Sequence, residues 1–489
     1  MHRIQSLLPC LYLCLLSQGA IAQTAPLGVP VLTSAGRLSL PDVEAVGQHF
    51  QVDLQLQADG MFTIVGGQTL AKAVSTSPAV YVPTTRLLTI PKVFALERYY
   101  AATLTNIGNF VFSVTGATQT TRVDNLVAWQ QTPFRSTTPK EARHVKRVAV
   151  QPSGRIHAAW YSQDFRAYMG YSDDQGASWR HTELDRTTQI NQVIVLQNGT
   201  LVAGGTTALG ASLLWYSTDN GQTWKNGARS SGGVEGLPNA RSAMIWDLAE
   251  RAGEVIITTS SETNAPSASH QVVYAWNPAT DTLRALAALP GMGALAVAAT
   301  ADGTLYVSTQ DSAEHDDPAT AGEGRVYRST NGGVSWTQTG TLASANRIYA
   351  LKALSDGSIV AGSGLNGGVY RSTDGLQWVK MTTLPQGSKP FGNPPVNQGY
   401  DITRAYQFLE LASGALLVGT GNDTGSIFLS CDRGVSWEST TKTGNNIVVW
   451  GLAQGPDGTI WVGNGSLQGD VWKAPAPTGV TPQKLFSCG

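Results

Sequence analysis

Ser217-Thr218-Asp219-Asn220-Gly221-Gln222-Thr223-Trp224 is the stretch whose reading decides the fold. Its residue types belong together physically. The aspartate can accept hydrogen bonds from backbone N–H groups across a tight turn, as in an Asx turn. The glycine takes the positive φ such a turn needs, and the tryptophan packs back between strands as a large apolar anchor. The pattern recurs as Ser172-x-Asp174-x-Gly176-x-x-Trp179 and Ser430-x-Asp432-x-Gly434-x-x-Trp437. Ser329-x-Asn331-x-Gly333-x-x-Trp336 has Asn for Asp, and Ser372-x-Asp374-Gly375-x-x-Trp378 is one residue short. These polar residues are read as turn-makers, not as catalysts or metal ligands.

Between the copies runs a second repeat: an apolar strand, a turn ending in Gly, then another apolar strand. Asp302-Gly303-Thr304-Leu305-Tyr306-Val307 is a good example. Asp-Gly or Asn-Gly between two apolar runs is a strong hairpin signal. The turn glycines are Gly154, Gly199, Gly253, Gly303, Gly357, Gly414 and Gly458, spaced by 45, 54, 50, 54, 57 and 44 residues. That is the period of a four-stranded blade. Seven such units predict an all-β, seven-bladed propeller, an architecture that minimises exposed sheet edges. The last unit runs into Ala474-Pro475-Ala476-Pro477 without a turn motif. Residues 125–132, Asn125 to Thr132, look like a strand with no unit of their own, and are predicted to close the ring as its missing outer strand.

With its five turn motifs the chain resembles the Asp-box (bacterial neuraminidase repeat) propellers, the group of sialidases, xyloglucanase-type hydrolases, sortilin-type receptors and photosystem-assembly factors. The resemblance covers some 340 residues and implies the fold; the fold hosts both enzymes and binding proteins. In that group the boxes lie on the outer rim, away from the axial site. Sialidases carry a Phe/Tyr-Arg-Ile-Pro motif, of which Phe134-Arg135-Ser136-Thr137 keeps two residues.

Composition agrees with this reading and excludes other classes. The 489 residues carry 33 Lys+Arg against 34 Asp+Glu, a net charge of -1, which argues against nucleic acid or an anionic membrane surface as partner. Charged residues are only 14%, while 53 Gly and 13 Trp suit short strands with tight turns. No His-Glu-x-x-His, Cys-x-x-Cys, Gly-x-Ser-x-Gly or phosphate-loop pattern occurs, so neither a cofactor nor a metal is expected. The acidic run Gln310-Asp311-Ser312-Ala313-Glu314-His315-Asp316-Asp317-Pro318 lacks EF-hand spacing and reads as a solvated loop, with cation binding as the alternative.

Residues 1–22 have the pattern of a secretory signal: Arg3, an apolar run from Leu7 to Leu16, then Ala20-Ile21-Ala22. An exported, periplasmic or secreted protein without a membrane span is the expectation. Cys431 and Cys488 then remain, and one disulfide between them is expected. Residues 23–124 hold a duplication with an offset of 50: Leu38-Ser39-Leu40-Pro41-Asp42-Val43 matches Leu88-Thr89-Ile90-Pro91-Lys92-Val93. Alternation such as Phe50-Gln51-Val52-Asp53-Leu54 predicts half-buried strands, and Pro41 and Pro91 suggest sheet edges or strand starts. The module is read as a packing appendage or a docking module. The propeller is expected to span 125–476, with 477–489 as a tail.

Propeller sites lie at the mouth of the central channel. Arg347-Ile348-Tyr349 and Arg404-Ala405-Tyr406 fall at matching places before their turn glycines. His144, Lys146 and Arg147, Arg241 with Trp246-Asp247, and Asn445-Asn446 with Trp450 precede others. Arg347, Arg404, Arg147, Tyr349, Tyr406, Trp246 and Trp450 are therefore candidate binding residues, able to fork onto carboxylates and stack on sugar faces. The alternative is a merely solvated channel. Asp247, Asp401 and Tyr406 are the candidates should the protein be a glycoside hydrolase, with Glu235 as a further carboxylate. The reading favoured overall is a non-catalytic binding or scaffold protein that holds a protein or glycan partner.

Overall fold

The computed structural model describes residues 30–33, 35–71, 78–95, 98–120, 129–137, 142–185, 187–207, 212–228, 244–260, 268–310, 324–343, 345, 347–364, 368–381, 384, 404–421, 426–440, 448–465, 468–476, 478–484 and 486. Outside them lie the signal segment, residues 125–128 of the closing strand, Arg241, Glu235, Asp401, Asn445, Asn446, Cys488 and the acidic run after Gln310. The chain forms two compact units, one of residues 1–126 with 486–489, the other of residues 127–485.

The first unit is a barrel of two equivalent halves. β1 (Val31–Leu32), β2 (Arg37–Ala45), β3 (Gln48–Leu56) and β4 (Phe62–Leu70) are repeated by β5 (Ala79–Val82), β6 (Leu87–Ala95), β7 (Arg98–Gly108) and β8 (Val111–Thr120). β4 pairs β8, and β5 pairs both β6 and β2, so seven strands close a ring. The inward residues of the alternating strands, among them Leu40, Leu54, Ile90 and Leu104, are fully buried in one core. The placement of the two prolines corrects the expectation from sequence: neither lies at an edge or a strand start. β2 pairs β1 through Leu38 and Ser39 but β5 through Val43 to Ala45, and Pro41-Asp42 forms a bulge where that partner changes. Pro91-Lys92 does the same between β5 and β1. A missing N–H costs nothing where the ladder is already interrupted.

The second unit is made of antiparallel four-strand meanders, five as separate sheets and two joined by the single pairing Ser260↔Gly293. The turn motif works as its chemistry suggests. Ser217 Oγ donates to Asp219 Oδ1 (2.7 Å) and accepts from Gly221 N (2.8 Å), while Asp219 Oδ1 accepts from Thr223 N (2.9 Å). Asn331 performs the same role, and its Nδ2 donates to Ser335 Oγ at 2.8 Å in place of the second carboxylate oxygen. In the short copy Asp374 Oδ1 accepts from both Leu376 N and Gln377 N at 2.8 Å. These bonds hold Asp174 and Asp219 down at about 2, the Ser178 and Thr223 hydroxyls contributing most. The tryptophans Trp179 and Trp437 are buried, and Trp336 and Trp378 donate to Ala287 O (3.1 Å) and Thr339 Oγ1 (2.8 Å). Trp224 packs against the cluster around Leu213 and Trp215.

The ends of this unit meet. Gln130–Gln131 adds to Asp470–Ala474 as the outer strand of the last sheet. Thr132 donates to Val471 O through both N (3.0 Å) and Oγ1 (2.8 Å), and Trp129 Nε1 donates to Thr440 Oγ1 at 3.2 Å. The helical turn Phe134–Thr137 then sets Phe134, fully buried, edge-on against Trp160 and Trp179 with centroids 5.1 Å away. The same cluster takes in Trp461 and Val471, so first and last sheets share one core. Arg135 is exposed and donates to Gln468 Oε1. Cys431 is disulfide-bonded.

Deletion of residues 129–132 is expected to lower the thermal midpoint of the second unit, because it removes an outer strand and bares the edge beside it. Calorimetry of the full chain checks this; an unchanged midpoint would show that closure does not need the strand. Asp470 offers a second test. Burial pushes its carboxyl up to about 6, against a hydrogen bond from Gln131. Between the ordinary value and about 6 the folded chain therefore holds the extra proton, so this group's contribution to stability falls as pH rises through that window. Asp470→Asn should flatten that part of the pH dependence in denaturant melts.

Candidate functional site

The inner strands of the second unit share one irregularity, and it builds the site. Each has a register shift against its neighbour, as between Ile245 and Asp247, Ile348 and Ala350, Ala405 and Gln407, and Val449 and Gly451. The extra residue of a bulge is free of the ladder and its side chain is re-aimed. One extra residue from each strand, Lys146, Asn191, Trp246, Leu295, Tyr349, Tyr406 and Trp450, lines a single cavity of about 320 Å³. Of the residues singled out from sequence, Arg147, Trp246, Asp247, Tyr349, Tyr406 and Trp450 are brought together on its wall.

The aromatic members form a continuous arc. Ring centroids are 6.2 Å apart from Trp246 to Tyr349, 5.6 Å from Tyr349 to Tyr406, and 4.3 Å from Tyr406 to Trp450. Trp450 Nε1 donates to His144 Nδ1 (3.1 Å), and His144 stacks on Tyr161 at 4.9 Å. Lys146 Nζ sits over the Trp450 ring, 4.2 Å from its centroid, and donates to Asn191 Oδ1 at 3.3 Å. Burial, with Arg147 nearby, draws Lys146 down to about 7. Burial, with Lys146 and Arg143 nearby, keeps His144 neutral, at about 3. Arg347 and Arg404, expected among the binding residues, do not line this cavity: their Nη1 atoms lie 3.5 Å and 3.3 Å from the Tyr349 and Tyr406 hydroxyls.

On four of these strands the next residue, Arg147, Gln192, Asp247 or Gln407, bolts neighbouring strands together. Arg147 Nε donates to Gln192 Oε1 (3.0 Å), and Gln192 Nε2 donates to Asp247 Oδ1 (2.5 Å). Asp247 accepts from Leu248 N (2.9 Å) and Val297 N (3.0 Å), and Gln407 Oε1 accepts from Leu452 N (2.8 Å). Arg147 Nη1 donates backward to Trp450 O at 2.5 Å. That approach is possible because residue 451 is glycine, where a Cβ would come within 2.8 Å of Arg147 Cα. Burial pulls Arg147 down to about 10, so it stays charged at neutral pH, while burial pushes the Asp247 carboxyl up.

Asp247 is thus a latch whose two oxygens are already engaged. Glu250, the other carboxylate of the wall, accepts from Gln197 N at 2.8 Å and lies three residues along the same strand. Among the described residues no group of three or more His, Cys, Asp or Glu converges on a point. What the arrangement offers is a flat-faced, cation-bearing wall, suited to stacking and to anion attraction. Asn191, Leu295, Gln192 and Gln407 were not singled out from sequence. Counting eight residues back from each turn glycine finds Asn191 and Leu295, as it finds Tyr349, Tyr406 and Trp450.

No protein-family model matches this chain, and no curated protein is similar to it. Solved structures are similar in fold. A catalytically inactive virginiamycin B lyase from Staphylococcus aureus, determined with quinupristin, is 12% identical over 71% of this chain and all of its own, with a TM-score of 0.50. A YCF48 bound to a D1 peptide is 14% identical over 73% of this chain and 98% of its own (TM-score 0.46). The WD40 β-propeller domain of Doa1 is 12% identical over 71% of this chain and 97% of its own (TM-score 0.46). The fold is a β-propeller; at this identity nothing of those proteins' activities transfers. No helix of the described residues is long and apolar enough to cross a membrane.

The latch role of Asp247 is testable. Asp247→Asn keeps the shape but turns an acceptor into a donor amid three donors, so a loss of roughly 1–3 kcal/mol is expected in urea melts. Unchanged stability would mean a carboxylate not needed by the scaffold.

Proposed function

We propose that this is an exported, non-catalytic binding protein, a seven-bladed Asp-box propeller that grips a carboxylate-bearing partner at its channel mouth. The observation that carries the reading is the arc Trp246–Tyr349–Tyr406–Trp450 beside Lys146 and Arg147. Rings present flat faces to a sugar or a planar side chain, and the buried cations favour negative charge. The carboxylates of the wall are tied to backbone donors, which supports binding over hydrolysis. On this reading the signal segment directs export, residues 125–132 close the ring, and Cys431 is bridged to Cys488. The alternative is a glycoside hydrolase of sialidase or xyloglucanase type, with Tyr406, Asp247 or Asp401 in its chemistry.

Calorimetric titration with oligosaccharides ending in a uronic acid and with peptides ending in a free carboxylate is expected to find a ligand. Tyr406→Ala and Trp450→Ala should each weaken it about tenfold, or about 1.4 kcal/mol. Affinity should also rise as pH falls from 8 to 6, because Lys146 gains its proton there, and Lys146→Met should remove that dependence. Turnover of fluorogenic glycosides, lost in Arg347→Ala and Arg404→Ala, would establish the hydrolase instead.

A further inference from the structure

The barrel of the first unit contains an apolar cavity of about 380 Å³, separate from the channel. Its deep wall is Leu40, Val43, Leu54, Leu88 and Phe112, all buried. Its lining includes no Asp, Glu, Lys, Arg or His. The Tyr81 hydroxyl is occupied, accepting from Asn106 Nδ2 at 2.9 Å, and Gln48 is exposed at the rim. A void with such walls stays dry and takes apolar atoms.

The rim shows construction that packing alone does not require. The β7–β8 turn places Phe110 at φ +55°, and the β2–β3 turn places Val46 at φ +51°. Bulky and β-branched side chains are strongly disfavoured in this region. In the duplicate half, the residue equivalent to Phe110 is Gly60, at φ +82°, and the one equivalent to Tyr81 by strand register is Leu32, paired with Leu38 as Tyr81 is with Leu88. One copy thus has glycine at this left-handed position, while the other holds an aromatic ring there, 6.2 Å from Tyr81 and on the lining of the cavity. Both strained residues line the cavity, and they are 82% (Val46) and 54% (Phe110) exposed. Strain kept at a mouth is characteristic of ligand clamps.

We propose that this barrel binds the hydrocarbon tail of a small amphiphile, a single acyl or alkyl chain. The tail enters between Val46 and Phe110, and the polar head stays at the rim by Gln48. The gradient from an uncharged floor to an exposed rim sets this orientation. The volume suits a chain of roughly ten carbons at close packing.

The test uses the full chain, the neutral fluorescent probe N-phenyl-1-naphthylamine, and decanol as competitor. One saturable site per chain, with decanol displacing the probe, is expected. Phe110→Gly and Val46→Asn should weaken decanol about tenfold while the thermal midpoint holds or rises, because each relieves a left-handed strain. Should either variant lose its fold, Val52→Phe blocks the cavity by bulk and should abolish displacement. The proposal is overturned if decanol does not displace the probe, or if displacement survives Val52→Phe. It is also overturned if the chain ignores decanol but sediments with phosphatidylcholine vesicles, which would make the rim a membrane contact, or if it dimerises through the rim.

Discussion

Every inner strand of the larger unit carries at least one residue more than its neighbour can pair. A regular ladder would send alternate side chains into the sheet cores on either side. The bulge breaks that alternation and turns one side chain of each strand into the channel, while on four of the strands the following residue reaches sideways to the next strand. Wall and scaffold therefore arise from the same two positions. Trp246 faces the cavity because Asp247 holds the Val297 and Leu248 amides, and Trp450 is fixed by the carbonyl that Arg147 grips. A site built this way is rigid, since its side chains are set by strand geometry and not by loops.

Both units answer the problem of open sheet edges by closure, at different scales. The barrel closes strand to strand, each short first strand bridging its own hairpin and the other copy. The larger unit closes sheet to sheet, with Gln130–Gln131 capping Asp470–Ala474 and Phe134 wedged among Trp160, Trp179 and their neighbours. In each case residues far apart in sequence share one core, which makes the closures costly in loop entropy and dependent on good packing. The turn motifs keep the rest local. Each satisfies backbone groups of its own turn within eight residues.

Much of this was legible beforehand, for identifiable reasons. The turn motifs and hairpin glycines are local signals whose φ and hydrogen-bond demands restrict residue choice, and the β architecture follows from them. The pairs Arg347–Tyr349 and Arg404–Tyr406 were visible because two adjacent units repeat them. Asn191 and Leu295 were not, because the bulge position tolerates any side chain and their types advertise no chemistry. Pro41 and Pro91 misled for a related reason: proline reports a missing N–H partner, and a sheet interior can lack one wherever the neighbouring strand changes.

The amino-acid sequence by itself determined the all-β character, the repeated turn geometry, the duplication of the first module and the set of aromatic and cationic residues available to a site. Those depend on φ preference, alternation and spacing, which act over a few residues. Only the tertiary structure decided that Asp247 is committed to backbone amides, that the rings of Trp246, Tyr349, Tyr406 and Trp450 come together, and that the barrel has an apolar cavity at one mouth. These depend on which strands become neighbours, and on how far a bulge swings a side chain. Local sequence does not encode either, because burial and contact are properties of the closed ring.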